Sequence, residues 1–344
     1  MPNDDARRVI GIGEFDNGVT LADVGELVLV ERISLLCRSG PGSSALGADE
    51  VVGIGDDAAV LSISSGQIVA AADMAVAGRH FRTDWSEPED IGAKVAAANL
   101  ADIAAMGAQP TSLLISLGLP AETTLMWVER LMQGVIDEAA RAQARVIGGD
   151  VVRADAIVIS GMALGDGQGR PPVRRAGAQP GDVVAVAGIL GWSAAGLAVL
   201  TRGFRSPRAL VDAHRRPQPP YRAGIDAARH GAHAMIDISD GLLLDLSRVA
   251  HASGVIVNVD SALIAIAEPL AAAASAYNLD PLYWVLGGGE DHALVAFFAA
   301  DQELPVDFTA IGTVSQLHDA GTGQLSVTVD GRPPQVESGF THFS

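Results

Sequence analysis

Apolar and polar positions along the chain switch repeatedly between short apolar runs and longer segments with helical spacing. The pattern predicts strands alternating with helices over most of the 344 residues. Apolar positions at helical spacing over 22–37 predict a first helix. Strands follow near 50–52, 58–62 and 67–72. The clearest helix is 88–106: Pro88 suits a first turn, Glu89 and Asp90 favour its positive end, and Gly107 with Pro110 stops it. A strand at 111–117, a long helix at 122–144, a strand at 145–147, a Gly148-Gly149-Asp150 turn and a strand at 156–164 complete the first half. The second half predicts a strand at 182–187, helices near 193–201, 206–214 and 219–230, a strand at 233–238, a helix at 241–252 and a strand at 254–260. A helix at 267–277, a Gly287-Gly288-Gly289 turn and strands near 293–298, 307–313 and 324–329 end it. Residues 1–21 read as a loose extension, 39–49 as a loop, and the Gly-, Pro- and Arg-rich stretch 165–181 as a domain boundary. The expectation is two α/β domains, 22–165 and 166–344, with no short-period repeat.

One stretch qualifies this reading. Residues 183–200 carry no charge over a length near that of a membrane helix. Gly188, Gly191, Ser193 and Gly196 interrupt it and Pro180-Gly181-Asp182 precedes it as a turn. A buried strand, a glycine turn and the start of a helix describe it better, so no membrane partner is expected. Met1-Pro2-Asn3-Asp4-Asp5 opens without a basic region and an apolar run, so no signal peptide is expected. Cys37 is the only cysteine, which rules out an intrachain disulfide and fits a reducing cytoplasm; in its apolar helical stretch it reads as a small core residue. Hydrophobic residues make up 49% and aromatics 4%, which implies an aliphatic core. A formal net charge of -18 argues against nucleic acid as a partner, because phosphate contacts need clustered Lys and Arg. It leaves room for a nucleotide held through Mg²⁺.

The candidate chemistry lies in the aspartates. Five separated segments set Asp beside Gly, Ser or a predicted turn: Gly53-Ile54-Gly55-Asp56-Asp57-Ala58, Ala71-Ala72-Asp73, Asn99-Leu100-Ala101-Asp102, Gly148-Gly149-Asp150 and Asp237-Ile238-Ser239-Asp240-Gly241. Carboxylates at strand ends and glycine turns suit hard cations, and hard cations suit phosphate chemistry. Each segment also has a plain explanation. Asp in a glycine turn hydrogen-bonds its own backbone. Asn99 and Asp102, spaced i and i+3, read most simply as a solvated helix face. Asp237, Ser239 and Asp240 can cap the helix they precede, although a helix N-terminus also favours phosphate. Asp73 is expected to end its strand. No Walker A loop and no G-x-G-x-x-G at a strand-to-helix turn are present, and Lys94 is the only lysine, so arginine is the expected cation partner for a triphosphate.

Taken in order, the segments resemble the thiamine-monophosphate kinases of the AIR-synthase (PurM-like) superfamily. The resemblance adds His80-Phe81, Asn99 through Ala108, Arg175 through Asp182, and Gly288-Gly289-Glu290-Asp291, and it spans about residues 22–344. Glu290-Asp291-His292 and Phe81-Arg82-Thr83-Asp84-Trp85 look like the actinobacterial branch. It implies a two-domain PurM-like α/β (α+β) fold, an N-terminal sheet that pairs in a homodimer, and an active site between the domains. It implies ATP as co-substrate, thiamine monophosphate as acceptor, and direct in-line transfer with several Mg²⁺ ions. Carried over by position, Asp57, Asp73, Asp102, Asp150, Asp237 and Asp240 would ligate Mg²⁺, with Asp56 a weaker candidate. Gly149, Asp150, Arg175 and Ser239 would contact ATP, and His80, Glu290 and Phe340 the substrate. No catalytic base is identified. The chain departs from the family pattern at Ala71-Ala72, where Ser-Thr oxygens are usual, at Ala176 and at Trp192. Another superfamily enzyme, a non-catalytic Mg-nucleotide binder and a Ca²⁺-stabilised acidic globule are the alternatives. A selenophosphate synthetase would need a reactive N-terminal Cys or Sec with a nearby Lys, which Cys37 does not supply.

Overall fold

A computed structural model describes residues 18–40, 50–52, 58–63, 65–317 and 326–335. Asp56, Asp57 and Phe340, and most of the predicted 1–21 extension and 39–49 loop, lie outside the described residues. The chain forms two compact units, one of residues 1–63, 72–96 and 111–163, the other of 64–71, 97–110 and 164–344.

The first unit opens with α1 (Leu21–Ser39), whose start is fastened by Asp23: its Oδ2 accepts from Thr20 N at 2.9 Å and Thr20 Oγ1 at 2.6 Å. Gly25, at φ 76°, kinks this helix. A short antiparallel pair, β1 (Glu50–Val52) and β2 (Val60–Leu61), follows. A four-stranded sheet then runs in the order β3 (Ile68–Val76), β6 (Val158–Asp166), β4 (Gln109–Leu119) and β5 (Arg145–Arg153). Helix α3 (Leu125–Arg141) begins at Thr124, whose hydroxyl accepts from Trp127 N. Leu125, Val128, Leu131, Met132, Val135 and Ile136 recur at helical spacing and are buried.

Helix α2 (Pro88–Ala105) starts where proline and acidic residues predict, but it has no solvated face. Asn99 is fully buried and Asp102 half-buried, which corrects the simplest reading of that polar pair. The helix is wrapped because small residues let neighbours close in. A Cβ added at Gly92 would lie 2.0 Å from Leu131 O, and one at Gly134 would lie 2.0 Å from Glu89 O. Arg130 ties the same two helices through Glu89 (2.6 Å) and Glu87 (2.9 Å).

The strand β5 brings a second correction. Gly148-Gly149-Asp150 is not a turn but the middle of a nine-residue strand, parallel to β4, with Gly149 opposite Ile115 and Asp150 opposite Ser116. A Cβ on Gly149 would meet Ile115 O at 1.8 Å. The glycine answers to close strand approach rather than to chain reversal. Asp73 likewise lies within β3 rather than at its end.

The second unit is built on a six-stranded sheet, in the order β12 (Val327–Val329), β9 (Val255–Val259), β11 (Thr309–Gln316), β7 (Val183–Ala187), β10 (Leu294–Phe298) and β8 (Ala234–Asp237). Only the β12–β9 pair is parallel. All five residues of β10, which lies between β7 and β8, are buried. Helices α4 (Trp192–Thr201), α5 (Arg208–Arg215), α6 (Tyr221–Arg229), α7 (Leu242–Ser253), α8 (Glu268–Tyr277) and α9 (Leu282–Gly287) accompany it. The uncharged 183–200 stretch is thus β7, a turn and α4, and no described helix is long and apolar enough to cross a membrane.

Replacing Gly134 with Ala is expected to cost about 1–3 kcal/mol, because the added carbon cannot fit without parting α2 from α3. The urea midpoint should fall with an unchanged slope; an unchanged midpoint would show that the helices do not touch there.

Candidate active site

The second unit gathers several acidic residues into two facing segments. After β8 the chain runs Asp237-Ile238-Ser239-Asp240-Gly241 into α7, and after α9 it runs Gly288-Gly289-Glu290-Asp291-His292 into β10. Ile238 N donates to Ala293 O (2.8 Å), His292 N to Ile238 O (3.0 Å) and Glu290 N to Ser239 O (2.8 Å). Gly289 lies so close that a Cβ would meet Ser239 O at 2.4 Å. Glu290 and His292 both take positive φ, 64° and 53°, a cost that the surrounding hydrogen bonds must hold.

Each acid here has a counter-group, and Arg248 serves two of them. Asp237, 3% exposed, receives His292 Nδ1 on Oδ2 at 3.1 Å. Burial works to lower the His292 imidazole, but the Asp237 hydrogen bond and the charges of Asp237, Glu290 and Asp102 outweigh it. The ring is held above its ordinary value. Asp102, on the part of α2 that belongs to this unit, is therefore close enough for its charge to act on His292. Asp240 Oδ2 accepts from Arg248 Nη2 at 2.5 Å, and Arg248 Nη1 pairs with Asp245. Asp245 is fully buried and its Oδ2 accepts from the N–H groups of Asp240 (3.0 Å) and Gly241 (3.1 Å). Burial pushes its carboxyl up to about 7, against the Asp240 N–H bond and the Arg248 charge. Asp291 is also buried, and burial pushes it up to about 7 although Gly191 N (2.5 Å) and Ser193 N (2.8 Å) donate to it.

His292 occupies one oxygen of Asp237 and Arg248 one oxygen of Asp240. Oxygen donors alone, ionised and partly neutralised by His and Arg, are the set a hard cation takes. Among the described residues no three His, Cys, Asp or Glu side chains stand close enough to hold a metal ion by themselves. Arg175 belongs to the same unit and is exposed, its carbonyl accepting from Ser253 Oγ at 3.2 Å.

The first unit carries the other predicted residues. Asp73 is exposed on β3, and Gly149 and Asp150 are exposed on β5. His80 Nδ1 accepts from Val76 N at 3.1 Å, so a neutral ring carries its proton on Nε2. A cavity of about 680 Å³ is lined by Gly148, Gly149 and Asp150 from β5 and by Val30, Ile33 and Cys37 from α1. Burial pushes the Cys37 thiol up to about 12, the behaviour of a wall residue rather than a nucleophile.

Two family models match the chain: AIR synthase related protein, N-terminal domain, over residues 55–166, and AIR synthase related protein, C-terminal domain, over 179–326. Thiamine-monophosphate kinase of Mycobacterium tuberculosis (strain H37Rv) is 43% identical over 325 residues, 94% of this chain and 93% of the relative. The chain belongs to the thiamine-monophosphate kinase family. Thiamine-monophosphate kinase of Corynebacterium glutamicum is 39% identical, covering 89% of this chain and 96% of its own. Among solved structures, the Stenotrophomonas maltophilia thiamine-monophosphate kinase superposes with a TM-score of 0.74 at 32% identity, over 88% of this chain and 96% of that one. AaThiL complexed with AMPPCP and TMP superposes with 0.73 at 32%, over 93% and 98%. The two-domain PurM-like fold expected from the resemblance is thereby shown.

In kinase terms, the sequence missed the residues that hold the acids: Asp245, Arg248, His292, Ser193 and His214. The one available signal was Asp245 with Arg248, an i, i+3 pair inside a leucine-rich helix. A raised histidine pairs with stability that is complete below its unfolded value of about 6.5 and fades as pH rises through the higher folded value. Proton NMR should show His292 titrating above its ordinary value in the native protein and lower in Asp237→Asn. Equal values in the two would remove Asp237 as the cause.

Proposed function

We propose that the protein transfers the γ-phosphoryl group of ATP to the phosphate of thiamine monophosphate, giving thiamine diphosphate. The carrying observation is the hydrogen-bonded loop pair that presents Asp237, Asp240 and Glu290 with Asp102 near, in a chain 43% identical to a thiamine-monophosphate kinase. A relative complexed with the ATP analogue AMPPCP and TMP supports both ligands.

Several Mg²⁺ ions, held by Asp57, Asp73, Asp102, Asp150, Asp237 and Asp240, would screen the meeting anions and favour direct in-line transfer without a phosphoenzyme. The protein's own contribution is orientation. His292 and Arg248 hold one oxygen of Asp237 and of Asp240, so those carboxylates do not swing apart under mutual repulsion. On β5, Gly149 lets a phosphate approach the backbone beside Asp150, and the adjoining cavity offers apolar space for the nucleoside. Arg175 and Ser239 are assigned to the ATP phosphates. His80, Glu290 and Phe340 are assigned to thiamine monophosphate. Ala71 and Ala72 offer only backbone oxygens beside Asp73, so the affinity there is expected to be weaker than with Ser-Thr.

A homodimer accompanies this reading. Met74 (58% exposed), Val152 (54%) and Met162 (43%) leave apolar surface on β3, β5 and β6 that a second copy would cover. The cytoplasm is the fitting compartment.

Purified protein with ATP, Mg²⁺ and thiamine monophosphate should form thiamine diphosphate. No product over a wide Mg²⁺ range would sink the proposal, and nucleotide binding without turnover would make it a non-catalytic homologue. Asp102→Ala should lose at least about 100-fold in turnover, the scale of removing one stabiliser of transition-state charge, while its melting temperature stays near that of the parent. Near-parental turnover would take Asp102 out of the site. Ala72→Thr should lower the Mg²⁺ concentration for half-maximal rate; no shift, or a rise, would mean that the missing oxygens do not matter.

A further inference from the structure

Glu290 is held by more than its backbone. The next residue, Asp291, accepts from Gly191 N and Ser193 N, which fastens the first turn of α4 to the acidic loop. Ser193 is fully buried, and its Oγ lies 3.1 Å from His214 Nδ1 on α5. The same Nδ1 lies 3.4 Å from Glu290 Oε2. His214 has little room to drift, because α4 and α5 meet at Gly196: a Cβ there would lie 2.0 Å from Leu210 O and 2.9 Å from the His214 Cβ. The contacts close a ring, from Asp291 through Ser193 and His214 back to Glu290, in which Ser193 and Asp291 are 98 positions apart and Ser193 and His214 are 21 apart.

We infer that His214, supported by Ser193, is a positioning residue that aims the Glu290 carboxylate at the cationic ring of the substrate. The inference rests on the proposed kinase reading and deepens it. A glutamate at the end of three side-chain torsions would otherwise sample many directions, and a ligand would have to order it on binding. With hydrogen on Nδ1, that one N–H is shared between Ser193 Oγ at 3.1 Å and the Glu290 carboxylate at 3.4 Å, so the ring sits between the two. The Glu290 side chain remains 36% exposed, which leaves it within reach of a ligand. Removing the imidazole thus acts on recognition of one substrate and leaves the phosphate-holding groups in place.

Steady-state kinetics with both substrates test this. His214→Ala should raise KM for thiamine monophosphate about tenfold, the scale of one hydrogen bond to a charged group. KM for ATP and kcat should stay within about twofold. His214→Gln, whose amide can still donate, should recover most of the loss. Glu290→Gln should raise the KM for thiamine monophosphate at least as much as His214→Ala does, and the double variant should be no worse than Glu290→Gln alone. Ser193→Ala carries the same test if His214→Ala does not fold, with a smaller rise in the KM for thiamine monophosphate alone. An unchanged KM in a folded variant, an equal rise for both substrates, or losses that multiply in the double variant would overturn the inference. A parent protein that makes no thiamine diphosphate would instead bring down the kinase reading and this inference with it.

Discussion

The site depends on a short backbone ladder that prolongs a sheet beyond its edge. Strands β8 and β10 pair antiparallel as far as Asp237 opposite Leu294, and the pairing continues outward through Ala293, His292 and Glu290 to Ile238 and Ser239. Three N–H···O bonds there bring two carboxylate-bearing segments together. Like charges so placed repel, and side-chain attraction alone would not set their spacing. Backbone hydrogen bonds do, because they are indifferent to the charges they carry along.

Close backbone approach is the recurring means. With few aromatics and many small residues, this chain packs its elements by letting main chain meet main chain. Gly289 abuts Ser239 O, Gly149 abuts Ile115 O, and Gly92 with Gly134 lets α2 and α3 touch. At each point a single added carbon would fall about 1.8 to 2.4 Å from a carbonyl oxygen, well inside any van der Waals contact.

Around this frame the charges are answered one by one. His292 meets Asp237, Arg248 spans Asp240 and Asp245, and the N–H groups of Gly191 and Ser193 meet Asp291. Burial raises Asp245 and Asp291 toward neutrality, which lightens the charge carried inside the frame. A net charge of -18 is thereby compatible with a compact unit.

Local signals in the sequence carried far. Pro88, Glu89 and Asp90 placed the start of α2 to the residue, since capping is a short-range effect. Apolar runs located β7 and β10, and the ordered Asp motifs with their resemblance identified the family before any coordinate was known. The failures share one cause. Gly148-Gly149-Asp150 looked like a turn because local propensity cannot see a parallel partner 34 positions away, where Gly149 must slide past Ile115. Asn99 looked solvated because helical spacing says which face is polar, not what covers it. Helix α9 was not predicted at all, because its six residues from Leu282 to Gly287 are too few to show helical spacing. The sequence by itself determined most of the elements, their order and the family, all encoded in neighbouring residues. Only the tertiary structure decided which histidine, arginine and backbone N–H groups answer each acid, because those partners come from distant segments and meet only through packing.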